Sequence, residues 1–236
     1  MIWAHGLTSR AYAQEEAGLF DWTPLESGHR LIRYDARGHG LSSGGADPAE
    51  YTWPQLAEDL LGLLDAVVPG EPVAGVGASM GAATLLYAAL ADPDRFGRLV
   101  LVTPPTMWAT RAEQSAGRLA AADFAERSGR AALEAIAGGM PSSALAGVAG
   151  AAPPIEVSDA LLPSVLRGAA HSDAPAATDL ARIGVPTLVL SWTGDPGHPV
   201  GSGEALVRCL PDAVLYVAGT PRELAGWPDL VRRFLA

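Results

Sequence analysis

Residues 72–90 read Pro72-Val73-Ala74-Gly75-Val76-Gly77-Ala78-Ser79-Met80-Gly81-Ala82-Ala83-Thr84-Leu85-Leu86-Tyr87-Ala88-Ala89-Leu90. The run Pro72–Val76 is short and apolar, as a strand buried on both faces is. Met80–Leu90 is small and apolar nearly all round, which suits a buried helix. Between them Gly77-Ala78-Ser79-Met80-Gly81 predicts a tight strand-to-helix turn. Such a turn forces Ser79 into a strained backbone region, and the glycines on either side let strand and helix approach closely. The Ser79 hydroxyl then projects above the sheet at a helix N-terminus, where the dipole favours a developing oxyanion. In a chain with 27 glycines the pentapeptide alone is weak; the strand before it and the helix after it carry the reading.

The same alternation runs outward in both directions. Further strand candidates are Ile2–Ala4, Leu31–Tyr34, Leu99–Val102, Val185–Ser191 and Ala213–Val217. Most are continuous apolar runs, which suits a parallel sheet covered on both faces. Trp53–Val67 places Leu56, Leu60, Leu63, Leu64 and Val67 on one helical face, with Thr52 as its cap and Pro54 in its first turn. Glu204–Leu210 and Pro221–Leu235 are the last two predicted helices. The expected fold class is α/β, a doubly wound and mostly parallel sheet of about six strands.

One segment breaks the alternation. Residues 104–182 show no strand pattern, only Ala-rich helical stretches at 110–127, 130–137 and 158–167, separated by Gly138-Gly139-Met140-Pro141 and by 151–154. A structureless loop of that length is uncommon in a compact domain. The expectation is a helical cap at 104–182 inserted into a core made of 1–103 and 183–236.

Composition bounds the function classes. Apolar residues make up 49% and charged residues 18%, a globular balance and not a disordered one. The 16 basic residues are scattered among 26 acidic ones, for a net charge of −10, which argues against a nucleic-acid partner. Cys209 is the single cysteine, so an intrachain disulfide and a cysteine-built zinc site are excluded. It reads as an inert thiol on a helix. No signal peptide, no apolar run long enough to span a membrane and no metal-ligand or dinucleotide-binding spacing is seen. A cytoplasmic protein acting on a small molecule without a cofactor is expected, and the oligomeric state stays open.

His5-Gly6-Leu7 follows the first strand, where an oxyanion-binding loop belongs. The amides of Leu7 and Met80 are the candidate pair for a carbonyl oxygen. The His5 side chain reads mainly as an ordering group for this loop.

Four ordered motifs resemble the α/β-hydrolase superfamily, and within it the small capped esterase, enol-lactonase and C–C hydrolase-like group. They are His5-Gly6, the run from Tyr34-Asp35-Ala36-Arg37-Gly38-His39-Gly40 to Leu41-Ser42, the Ser79 turn, and Pro186 with Gly194-Asp195 and Pro199. The resemblance spans essentially the whole chain. It implies that Asp35, Arg37 and His39 tie down a loop and do not catalyse. It also implies a Ser–acid–His order of triad residues. Asp195, after the penultimate strand, falls at the acid position.

The base departs from the pattern. The family's histidine follows the last strand, and here Thr220 stands in that place; no histidine occurs after His198. Three readings remain open. His198 reaches Ser79 from the acid loop; His171, near the end of the cap, serves; or there is no base. The third gives a slow esterase, a non-hydrolytic oxyanion-site catalyst such as a lyase or cyclase, or a binding protein on a retained scaffold. The leading expectation is a serine hydrolase for an ester, thioester, lactone or related carbonyl compound. Its candidate catalytic residues are Ser79, Asp195 and His198. Leu7 and Met80 hold the oxyanion, and His5, Trp108 and His171 are the candidate substrate-facing residues. Trp192 reads as core or as a pocket wall, and His29 as surface. A second departure is expected at the start, where the family's two N-terminal strands are absent before Ile2.

Overall fold

The computed structural model describes residues 1–26, 28, 30–138 and 154–236. The expected surface position of His29, and the separators at 139–141 and 151–153, lie outside the described residues. Six strands form one sheet: β1 (Ile2–Ala4), β2 (Ile32–Arg33), β3 (Val73–Ala78), β4 (Phe96–Val102), β5 (Thr187–Trp192) and β6 (Ala213–Ala218). Their spatial order is β2-β1-β3-β4-β5-β6, and every pair is parallel. The chain first steps from β1 outward to β2, then returns to β3 on the other side of β1. The crevice between β1 and β3 is therefore the topological switch point, where ligands bind in open parallel sheets.

The helices are α1 (Ala13–Glu16), α2 (Trp53–Val67), α3 (Met80–Ala91), α4 (Arg111–Ser128), α5 (Arg130–Gly138), α6 (Leu162–Ala170), α7 (Ala177–Leu180), α8 (Val200–Cys209), α9 (Pro221–Ala225) and α10 (Trp227–Leu235). Helices cover both faces. Leu99 and Leu101 of β4 pack with Leu60 and Leu64 of α2, Leu85 and Leu86 of α3 and Leu206 of α8. Val100 and Val102 point the other way, toward Trp3, Phe20, Trp22, Trp192, Trp227 and Val231. Strands with both faces buried have no polar positions to alternate, which is why their sequences read as apolar runs.

The structure moves several expected boundaries. β4 begins at Phe96 because Phe96 pairs with Val73. α8 begins at Val200, immediately after Pro199, whose fixed φ suits the position before a helix. The helix expected over Pro221–Leu235 breaks at Gly226 into α9 and α10, and the ring of Pro228 restarts the second one. Thr52 does precede α2, but its hydroxyl donates back to the Ala49 carbonyl and does not cap the helix. β6 is an edge strand, and Val214, Tyr216 and Val217 are exposed on it.

Between β4 and β5 the described residues form helices and no strand. α4 and α6 pack through Ala122, Ala125, Leu162, Val165 and Leu166 onto Tyr51, with Leu7 at the margin of this cluster. Gly168 makes the contact close: a Cβ there would lie 2.5 Å from the Pro48 carbonyl oxygen. α6 starts at Leu162 rather than 158, with Pro163 in its first turn.

Candidate active site

Ser79 follows β3 and immediately precedes α3, with φ 51° and ψ −109°. A non-glycine residue pays for that conformation, so the surroundings must hold it. They do so through the Ser79 amide, which donates to the Val102 carbonyl at 2.9 Å. Glycines do the rest. A Cβ on Gly81 would meet the Ala4 carbonyl oxygen at 2.0 Å, and one on Gly77 would meet the Gly81 backbone at 2.6 Å. Strand and helix can close this tightly only where neither residue has a side chain.

The loop after β1 lies against the turn. A Cβ on Gly6 would be 3.8 Å from the Ser79 Cβ. His5 is fully buried. Its Nδ1 bonds the Gly6 carbonyl at 2.8 Å and its Nε2 accepts the Ala36 amide at 3.0 Å. The second contact requires a neutral ring with the proton on Nδ1. Burial holds its pKa below the ordinary histidine range, and the Gly6 carbonyl and Asp35 only partly oppose that. Both ring nitrogens are thus spent on the loop. Those bonds are the ones an ordering role for His5 uses, and they leave neither ring nitrogen free to face a substrate. The amides of Leu7 and Met80 have no acceptor among the described residues.

The 192–199 loop supplies the remaining groups. Asp195 Oδ1 accepts the Gly197 amide at 2.8 Å, and Oδ2 accepts the Trp192 indole N–H at 2.9 Å. His198 Nδ1 lies 2.8 Å from the same Oδ2, and its Nε2 lies 2.8 Å from Ser79 Oγ. A neutral His198 therefore donates Nδ1–H to the carboxylate and accepts the Ser79 hydroxyl at Nε2. Burial alone would raise the Asp195 carboxyl; the bonds from His198, Trp192 and Gly197 outweigh it and hold the carboxyl well below the usual range. The loop is pinned by the Thr106 amide, which donates to Gly197 O at 3.2 Å.

Trp192 is both core and anchor. Its ring stacks on Trp227 at 5.9 Å and 4°, and on Phe20 at 5.9 Å and 15°. The His198 ring meets it edge-on at 6.4 Å. The role of its N–H toward Asp195 was not read from the sequence. The signal was available, since a buried indole N–H needs a partner and an acceptor sits three residues on.

The other expected residues have partners or positions of their own. His171 ends α6, exposed; His198, not His171, holds the Ser79 hydroxyl. Trp108 spends its indole N–H on the Pro175 carbonyl at 3.0 Å and its amide on the Asp173 carboxylate. Thr220 accepts the Glu223 amide and donates to the Glu223 carboxylate, a capping arrangement that starts α9. Asp35 accepts the amides of Ala11 and Leu41, and Arg37 pairs with Asp59 and Glu50. Cys209 is a free thiol at the end of α8. Among the described residues no helix is long and apolar enough to cross a membrane.

Comparison with known proteins gives a consistent picture. The model of the Alpha/beta hydrolase family matches residues 1–233. An epoxide hydrolase from Caballeronia sordidicola is 42% identical over 89 residues, 38% of this chain and 26% of that protein. The 3-oxoadipate enol-lactonase 2 of Acinetobacter baylyi is 27% identical over 202 residues, 79% of this chain and 69% of that protein. The first three curated relatives are matched over only 26%, 33% and 24% of their own lengths. Among solved structures, a hydrolase from Pseudomonas aeruginosa PA01 superposes with a TM-score of 0.80 at 26% identity, covering 100% of this chain and 89% of that one.

Proposed function

Because this chain belongs to the alpha/beta hydrolase family, we propose that it is a serine hydrolase with Ser79 as nucleophile, His198 as general base and Asp195 as the acid that orients it. The observation that carries the proposal is the pair of 2.8 Å contacts linking Ser79 Oγ to His198 Nε2 and His198 Nδ1 to Asp195 Oδ2. Two contacts of that length support the roles of nucleophile, base and orienting group. The substrate class is an ester, thioester, lactone or related small carbonyl compound. The setting is cytoplasmic, and residues 104–182 act as a cap over the site.

The chemistry follows from the protons. Ser79 Oγ attacks the carbonyl carbon while its proton passes to His198 Nε2. The carbonyl oxygen becomes an oxyanion and takes the N–H groups of Leu7 and Met80, which have no acceptor within the described protein. The imidazolium formed at His198 faces an ionised Asp195. His198 then returns the proton to the leaving oxygen or sulfur, and water repeats the sequence on the acyl-Ser79 ester. The departure from the family pattern is one of position: acid and base share one loop, and the place after β6 serves to cap a helix.

Steady-state hydrolysis of 4-nitrophenyl acetate and butyrate tests this. Wild-type turnover that falls by about three orders of magnitude or more in Ser79→Ala supports the reading. Turnover that survives in Ser79→Ala favours an oxyanion-site catalyst of another class, and no turnover by wild type favours a binding protein.

A further inference from the structure

Arg118 is the feature that the proposed chemistry leaves unused. It lies on α4, one turn after Gln114 and one turn before Ala122, on the face of α4 that packs inward. Gln114 marks one neighbour of that face: its Nε2 is 2.9 Å from where a Gly197 Cβ would stand, on the loop that carries Asp195 and His198. Ala122 marks the other, because it belongs to the cluster on which Leu7 packs. By its position along α4, Arg118 thus falls between the turn next to the acid–base loop and the turn next to the cluster that Leu7 borders.

Among the described residues its guanidinium has no counter-charge. The Nε is buried without a hydrogen-bond partner, and Arg118 forms no ion pair among the described residues. Residues 139–153 contain no Asp or Glu, so that stretch has no carboxylate to give. The contrast with Arg111, seven residues earlier on the same face, is direct. Arg111 is satisfied by the carbonyls of Ser172 and Ala169 and by the Gln114 side chain, and it stacks over Trp53 at 4.4 Å. Burial, with Arg111 close by, lowers the Arg118 pKa to about 10, so it still carries its charge at neutral pH. Arg118 as a whole is only partly buried, yet its Nε is shut off from solvent without a partner, an arrangement that costs free energy in any chain and is notable in one with ten more acidic than basic residues.

We propose that Arg118 is the anion-recognition group of this site and that the substrate carries a carboxylate, or a group of like charge and shape, remote from its scissile carbonyl. A guanidinium presents paired donors that match a carboxylate. A remote anionic group held there positions the reacting carbonyl over Ser79 and gives kcat/KM selectivity. This rests on the Ser79 reading for the chemistry, but the anion site stands on the Arg118 surroundings alone.

The test compares Arg118→Met and Arg118→Gln with wild type by two independent readouts. The first is kcat/KM for mono-4-nitrophenyl adipate against 4-nitrophenyl hexanoate, a pair of equal chain length that differs in the terminal carboxylate. The second is calorimetric titration of adipate into each protein. Wild type is expected to prefer the anionic ester, and both variants to lose at least about tenfold of that preference and of adipate affinity. Loss in either readout supports the proposal; variants that leave both unaltered overturn it. If neither ester is hydrolysed by wild type, the Ser79 reading falls, and adipate titration still decides the anion site. If both esters are hydrolysed with no preference and adipate binding ignores Arg118, the anion site falls and the Ser79 reading stands.

Discussion

Nδ1 of His198 lies 2.8 Å from Oδ2 of Asp195, a partner three residues away on the same loop. A base and its orienting acid on a single turn need no long-range folding to find each other. What they need is a loop held at the right height over Ser79. The Trp192 N–H, the Gly197 amide and the Thr106–Gly197 contact supply that.

The histidines separate cleanly. His198→Ala is expected to lower kcat for ester hydrolysis by about two to four orders of magnitude, the usual worth of a general base. His171→Ala leaves kcat within about twofold, because His171 is exposed at the end of α6 and His198 already occupies Ser79. Thr220→His does not rescue His198→Ala and costs about 1 kcal/mol of stability through the lost α9 cap. Steady-state kinetics with urea titrations of the same proteins check all three.

Loss of the Asp195 carboxylate and loss of its Trp192 donor are expected to differ in size. Asp195→Asn is expected to reduce kcat by about three to four orders of magnitude, since the amide carries no charge to stabilise an imidazolium and has one acceptor oxygen for donors that now meet two. Trp192→Phe keeps much of the stacking on Trp227 and Phe20 but removes one donor to Oδ2. It is expected to lower kcat on the order of tenfold with KM little changed.

The turn around Ser79 was legible because several local signals agree there: an apolar strand, small helical residues and glycines where two backbones meet. The parallel sheet and both covered faces follow from the same apolar runs, whereas the order of its strands does not. Other features depend on tertiary partners that spacing does not disclose. Trp192 reads as core or as a pocket wall from its sequence, and only the fold brings its N–H onto Asp195. Arg118 is one arginine among others in an Ala-rich helix until the fold turns it inward without a carboxylate. The break at Gly226 is hidden by an apolar pattern that continues through it. The exposure of β6 follows from its place at the sheet edge, which its own residues do not specify.

The glycines give a stability contrast. Gly81→Ala is expected to cost about 3 kcal/mol or more, because the new methyl would overlap the Ala4 carbonyl and neither backbone can yield. Gly62→Ala, within α2 and with nothing within 4 Å, is expected to gain about 0.5–1 kcal/mol. Urea unfolding of the two variants checks the difference in sign.

Acid sensitivity is expected to come from His39. It is fully buried, its Nδ1 bonds the Arg37 carbonyl at 2.9 Å, and its Nε2 has no partner among the described residues. Burial, with His5 alongside, lowers its pKa from 6.5 to about 3. Between those values the unfolded chain holds a proton that the folded chain refuses, so stability rises with pH through this window and is lost as pH falls. The His39 contribution approaches about 1.4 kcal/mol per pH unit within the window. His39→Asn, which retains a donor for the Arg37 carbonyl, flattens that slope in urea titrations between about pH 6.5 and pH 4.

Reaction with a fluorophosphonate, followed by mass spectrometry of the intact protein and of its peptides, tests the central claim most directly. The account predicts a single adduct on Ser79, absent in Ser79→Ala and formed at least about a hundredfold more slowly in His198→Ala. No adduct, an adduct on another residue, or an unchanged rate in His198→Ala would contradict it.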